Sequence, residues 1–195
     1  MVVTSSLAPI RNRLGVGLAF WAAWYGAYRL YYGFGGQAGM FGRPASEGEF
    51  QRINLVGGAI ILVAAALPPV AVRAWRYPLV RRLVCVIGWA AAVGCCVHAL
   101  TDVTQDALSL TGLHAIHYPA GFWSSIDRRE AAWQDALFNE PWFFVEGCLW
   151  GALALSAVQP SSRRPWLGSA VAVGTLGYAF GVVTGLGVAP SLRYR

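Results

Sequence analysis

Lysine is absent from this 195-residue chain, and acids are scarce, with nine Asp and Glu in all. Charged residues make up 12% of the sequence, about half the share of an ordinary soluble domain. The fifteen basic residues are all Arg and form no basic run interleaved with aromatics. The formal net charge of +6 therefore gives no reason to expect a nucleic-acid partner; a chain this apolar meets lipid head groups first. Cysteine is limited to Cys85, Cys95, Cys96 and Cys148, with no zinc-finger spacing. Adjacent Cys95 and Cys96 are poorly placed to bridge each other, so the four read as small, polarizable packing residues.

What is present is apolar sequence in long blocks. Hydrophobic residues account for 56% of the chain, concentrated at about 14–36, 53–72, 83–111, 141–158 and 167–188. A helix crossing a bilayer needs roughly 20 apolar residues. The expected fold is all-α: a polytopic membrane bundle of about five transmembrane helices plus a short interfacial helix, in one domain spanning 1–195. The first block follows Arg11 and Arg13. It is rich in Trp and Tyr, contains Arg29 and lacks a small-x-small cleavage site, so it reads as a retained helix.

Arg asymmetry sets the expected orientation. Arg11 and Arg13, then Arg73, Arg76, Arg81 and Arg82, then Arg163 and Arg164 alternate onto one side. That side is expected to be cytoplasmic, giving a multi-pass cell-membrane protein with its N-terminus inside. The terminal Arg193 and Arg195 fall outside if the fifth block spans. Pro68-Pro69 should kink or end the second helix. Ser124–Phe138 is expected to form the interfacial helix, Ser124 with Asp127 supplying the capping signature. Asn139 with Pro141 marks the start of the fourth span. Gly177, Gly181 and Gly185 make a smooth stripe for close helix packing, within the chain or in a helix-mediated oligomer.

On this topology all nine acids and all three His fall on the outer side. Four ionisable groups lie within the hydrophobic blocks: Arg29, His98, Asp102 and Glu146. At 1.5 Å per residue, Arg29 and His98 sit about 22 Å from the inner ends of their helices, and Glu146 about 8 Å below the outer end of its own. His98 and Asp102, four apart, share a helix face. Charges at such depth face inward and pair. Arg29 is thus expected to pair with Asp102 or Glu146, with His98 beside them. Tyr28, Tyr32, Trp142 and Phe143 lie at a similar depth, and such rings stabilise cations. The constellation suits proton transfer on a hydrophobic substrate or capture of a cationic amphiphile; a purely architectural ion-pair latch is the competing reading. His114-x-x-His117 offers two imidazoles for a metal, but Pro119 and Gly121 follow closely, and no metal or cofactor is expected.

Two stretches carry a resemblance. Tyr25 to Gly36, YGAYRLYYGFGG, and Asn139 to Gly147, NEPWFFVEG, resemble segments of a largely actinobacterial group of small polytopic membrane proteins of unknown function. The chain departs from that pattern at Tyr32, at Phe34, and at Glu146, where a small residue is common. The resemblance implies a polytopic helical fold and no particular activity. His98-x3-Asp102 with Glu146 on the following span is similar in type to the emopamil-binding sterol isomerase family, with Asp in place of the usual Glu. That likeness implies intramembrane acid–base chemistry on an isoprenoid skeleton. The expected function is then a membrane-embedded isomerase or cyclase acting on an isoprenoid- or sterol-like substrate in an outer-leaflet cavity. His98, Asp102 and Glu146 would be catalytic; Arg29, Tyr28, Tyr32, Trp142 and Phe143 would bind substrate. The alternatives are a non-enzymatic binding or transport protein and an accessory membrane subunit held by the latch.

Overall fold

Proline and glycine set where the helices begin and end. The computed structural model describes residues 7–116 and 121–187. Helix α1 (Ala8–Gly33) opens with a Pro in its first turn and stops before Gly35, which takes the left-handed conformation (φ +87°) that only glycine adopts without strain. Helix α2 (Glu47–Ala65) starts at Ser46, whose side chain accepts from the Glu49 N–H at 3.3 Å. It breaks just before Pro68-Pro69, and α3 (Leu67–Arg73) continues it. Helix α4 (Pro78–Leu110) is the longest element at 33 residues. Helix α6 (Glu140–Ala157) and helix α7 (Arg163–Gly185) complete the long helices.

These five long helices fall on the five apolar blocks. Glu47–Arg73, Pro78–Leu110 and Pro160–Gly185 are each long and apolar enough to cross a membrane. Helices α1 and α6 are less apolar: α1 carries Arg11, Arg13 and Arg29 together with many Trp, Tyr and Gly residues, and α6 carries Glu140 and Glu146. Large apolar side chains nonetheless point outward on every long helix: Phe20 on α1, Ile60 and Val63 on α2, Val86 on α4, Phe144 on α6, Leu176 and Phe180 on α7. Water disfavours such an exterior, and hydrocarbon accepts it.

The helices pack in two close pairs, α1 with α2 and α4 with α6, joined where α6 meets α1. Small residues make each seam. A Cβ placed at Gly88 would lie 2.7 Å from the Ala154 Cβ, and one at Gly58 would lie 3.1 Å from the Gly26 carbonyl oxygen. A small buried cluster of Leu18, Val84 and Leu153 joins α1, α4 and α6, with Val72 and Trp75 packed against it. The stripe of α7 packs on α4 of the same chain: Gly177 meets Val97, Gly181 meets Thr101 and Gly185 meets Gln105. In the single chain that face is therefore packed against α4.

The connection before α6 differs from the helix expected over Ser124–Phe138. Strand β1 (Gly42–Pro44) pairs antiparallel with β2 (Trp123–Ile126), so Ser124 and Ile126 belong to a strand. The Ser124 hydroxyl donates to the Arg43 carbonyl at 3.0 Å. Asp127, rather than Ser124, is the cap of α5 (Arg128–Gln134), accepting from the N–H groups of Arg129 and Glu130. A π-turn over Asp135–Asn139 then runs directly into α6.

Candidate functional site

The i, i+4 spacing on α4 places the His98 Nδ1 3.4 Å from an Asp102 carboxylate oxygen. On the other side of the ring, Nε2 lies 3.7 Å from Glu140 Oε2. Glu140 is supplied by the π-turn. Its N–H donates to the Asp135 carbonyl, so these two acids lie one wide turn apart at the head of α6. π-Turns of this kind insert a residue into a helix and recur at functional sites. Phe143, one turn into α6, meets the imidazole edge-on at 4.7 Å.

The cluster extends beyond these three. Asp102, Asp106 and Asp135 all lie close enough to Glu140 to act on its charge. Glu140 is 4% exposed and Asp106 2% exposed. Glu140 Oε2 and Asp106 Oδ2 have no hydrogen-bond partner among the described residues. Burial pushes the Asp135 carboxyl above its ordinary value; the Asn139 amide donates to it and offsets part of that rise, the Asp102 charge adds to it, and His98 opposes it.

Glu146 stands apart from this group. It lies six residues beyond Glu140, about 9 Å further along the helix and on another face. With Arg29, Tyr25, Phe143, Cys95 and Trp150 it lines a half-open cavity of about 450 Å³ among α1, α2, α4 and α6. The remaining wall is apolar, including Leu18, Ala22, Ile61, Ala64 and Ala65. Arg29 lies beside Tyr25, and Gly57 leaves room for it: a Cβ there would sit 3.7 Å from the guanidinium. No carboxylate oxygen among the described residues lies within 4.0 Å of Arg29. The expected latch from Arg29 to Asp102 or Glu146 is therefore not formed. Equal depth brings the groups to one level, but helix rotation turns them into two adjacent sites with Phe143 bordering both.

The aromatic candidates divide as well. Tyr28 and Tyr32 line a smaller aromatic recess with Arg29, Gln134 and Asn139. The Tyr28 hydroxyl accepts from the Gln134 amide at 3.1 Å, and the Tyr32 hydroxyl donates to the Ala38 carbonyl at 3.1 Å. Trp142 is 8% exposed and stacks on Trp21 with ring centroids 4.2 Å apart, a packing position rather than a lining one. Of the imidazole pair, His114 approaches the Gly185 carbonyl at 3.2 Å, whereas His117 lies outside the described residues. A larger depression, about 820 Å³, is an open surface between loops, lined by Arg43, Glu47 and Asp127 among others, away from both sites.

Sequence reasoning missed Glu140 and Tyr25. Glu140 was visible as an acid immediately before Pro141, the position of a helix start, and Tyr25 as one more ring of an aromatic first block.

Fold and site together define a mainly helical protein with three helices able to cross a membrane, an apolar cavity carrying one acid and one guanidinium, and a histidine–carboxylate cluster beside it. Compared with protein-family models, curated proteins and solved structures, the chain matches none.

Proposed function

We propose that this chain is a multi-pass cell-membrane protein of about five spans, N-terminus cytoplasmic, that binds a hydrophobic, isoprenoid- or sterol-like molecule and isomerises it by acid–base chemistry. The observation that carries this reading is the cavity among α1, α2, α4 and α6. Its volume of about 450 Å³ falls within the range of small-molecule sites, and its composition, apolar walls with few polar groups, is the usual one. Helices α1 and α6 would complete the membrane bundle despite their charges because Arg29, Glu140 and Glu146 turn inward to the cavity and cluster, where they need not meet lipid, while Arg11 and Arg13 lie in the first turns of α1 at its membrane-surface end.

Among the described residues Glu146 is the one acid lining the cavity, so the proton is assigned to it. The Glu146 carboxylic acid protonates one carbon of a substrate double bond, leaving a cation on the other. The faces of Tyr25, Phe143 and Trp150 stabilise that charge. The carboxylate then removes a proton from the neighbouring carbon, which shifts the double bond and restores the acid. Arg29, which forms no ion pair among the described residues, holds an oxygen function at the end of the substrate near Tyr25. His98 and Asp102 do not line this cavity, so catalysis is assigned to Glu146 alone among the three acid–base residues read from the sequence.

The test is uptake of solvent deuterium. Purified protein in lipid nanodiscs, in D2O, is given an unsaturated sterol or a polyprenyl alcohol, and carbon-bound deuterium is read by mass spectrometry. Wild type should incorporate deuterium, and Glu146→Gln should do so at a rate lower by about a hundredfold or more, the usual weight of a general acid. Equal rates in both would refute the role of Glu146. Binding of these probes without any deuterium uptake would favour the second reading the same cavity supports, a non-catalytic carrier of a hydrophobic molecule.

A further inference from the structure

We infer that His98, Asp102 and Glu140 form a binding site for one divalent transition-metal cation. The site is separate from the catalytic residues proposed above, so each stands or falls independently. One potential ligand atom from each residue lies within 4.8 Å of the others. The 3.4 Å and 3.7 Å separations are long for hydrogen bonds to an imidazole. A single cation takes one ring nitrogen: with Nε2 as the ligand, its 3.7 Å separation from Glu140 is close to the spacing around a cation, since atoms held about 2.1 Å from a tetrahedral centre lie about 3.4 Å apart, and Asp102 would turn in from the Nδ1 side of the ring.

Burial supplies the independent indication. The Glu140 side chain is 5% exposed and directs Oε2 toward the His98 ring, yet that oxygen accepts no hydrogen bond among the described residues. Asp106, on the same face of α4 one turn beyond Asp102, is equally buried and also has an unpartnered oxygen. Burying carboxylate oxygens without donors is costly. No Arg among the described residues forms an ion pair with any of the four acids. A divalent cation offsets this excess of negative charge and gives the orphaned Glu140 oxygen a partner.

The donor set indicates the class of ion. One imidazole and two carboxylates suit Zn2+, Mn2+ or Fe2+; an all-oxygen shell would suit Ca2+ or Mg2+, and thiolates would favour softer ions. Phe143 meets the His98 ring edge-on, so a neighbouring group orients this ligand as outer-shell partners do. The His98 side chain is 46% exposed and that of Asp102 40%, leaving room for a water molecule or an exogenous ligand on the ion.

The experiment is equilibrium dialysis of the purified full chain in detergent against Mn2+ or Zn2+, with metal counted by mass spectrometry. Pulsed EPR of the Mn2+-loaded sample then reports nitrogen ligation. Wild type should bind one equivalent and show modulation from a single imidazole nitrogen. His98→Ala and Glu140→Gln should each weaken binding by about tenfold or more, whereas Glu146→Gln should bind as wild type. Should Glu140→Gln fail to fold, the wild-type EPR signal and the half-exposed His98 position still decide. Absence of stoichiometric metal in wild type overturns the inference, as does metal that persists in His98→Ala at undiminished affinity.

Discussion

Replacing Trp142 by alanine should lower folding stability by about 3 kcal/mol or more, the cost of removing a large aromatic from a packed interior. Trp142 stacks on Trp21 at 4.2 Å and lies 5.7 Å from Tyr25 and 6.1 Å from Phe138. The contact is two-way, because the Trp21 indole N–H donates to the Trp142 carbonyl at 3.0 Å. This is where α6 meets α1, and that meeting joins the two helix pairs. In the membrane setting proposed above, burial of apolar surface would not drive helix association, and dispersion contacts of this kind would carry it. Thermal melting in detergent, followed by tryptophan fluorescence, is the measurement. Trp142→Phe should recover most of the loss because it keeps a stacking ring. If Trp142→Ala melts with the wild type, the α1–α6 contact is not holding the bundle together.

Filling the cavity from a position that bears no charge should be equally drastic for function. Gly57 faces the Arg29 guanidinium, and a Cβ alone would meet it at ordinary contact distance. Gly57→Ala is therefore expected to behave as wild type. Gly57→Phe puts a ring where Arg29 and the substrate's polar end would be, and deuterium uptake should fall about a hundredfold, as displacement of bound groups by an ångström commonly costs. Folded yield should persist, since α2 exposes Val56 and Ile60 on either side of the mutation to the surroundings. Full turnover in Gly57→Phe would mean that catalysis happens elsewhere.

The sequence disclosed height and periodicity far better than direction. Five apolar blocks became the five long helices, and the helix break at Pro68-Pro69 follows from proline's missing N–H and the clash of its ring with the preceding turn. The His98–Asp102 neighbourhood follows from 3.6-residue geometry alone. Depth counting put Arg29, His98, Asp102 and Glu146 at one level, but a count along an axis says nothing about rotation about it. The partner of His98 proved to be Glu140, because the π-turn over Asp135–Asn139 and the Gly88–Ala154 contact set how α6 lies on α4. Neither is a local signal. Ser124 illustrates the same limit. Its helix-start signature was outweighed by pairing with Arg43, 81 residues away. The Gly177, Gly181 and Gly185 stripe was legible as a close-packing face, but only the tertiary structure shows α4 as its partner.

The central claim is that the cavity among α1, α2, α4 and α6 holds a hydrophobic molecule within the membrane. Photo-crosslinking tests it most directly, with a diazirine-bearing isoprenoid alcohol added to the full chain in nanodiscs and the labelled peptides identified by mass spectrometry. Label should concentrate on Leu18–Arg29 of α1 and Phe143–Trp150 of α6 and be displaced by excess unlabelled alcohol. Label confined to outward residues such as Val86, Val171 and Phe180, and indifferent to competitor, would show that the probe meets only the lipid-facing exterior and would contradict the account.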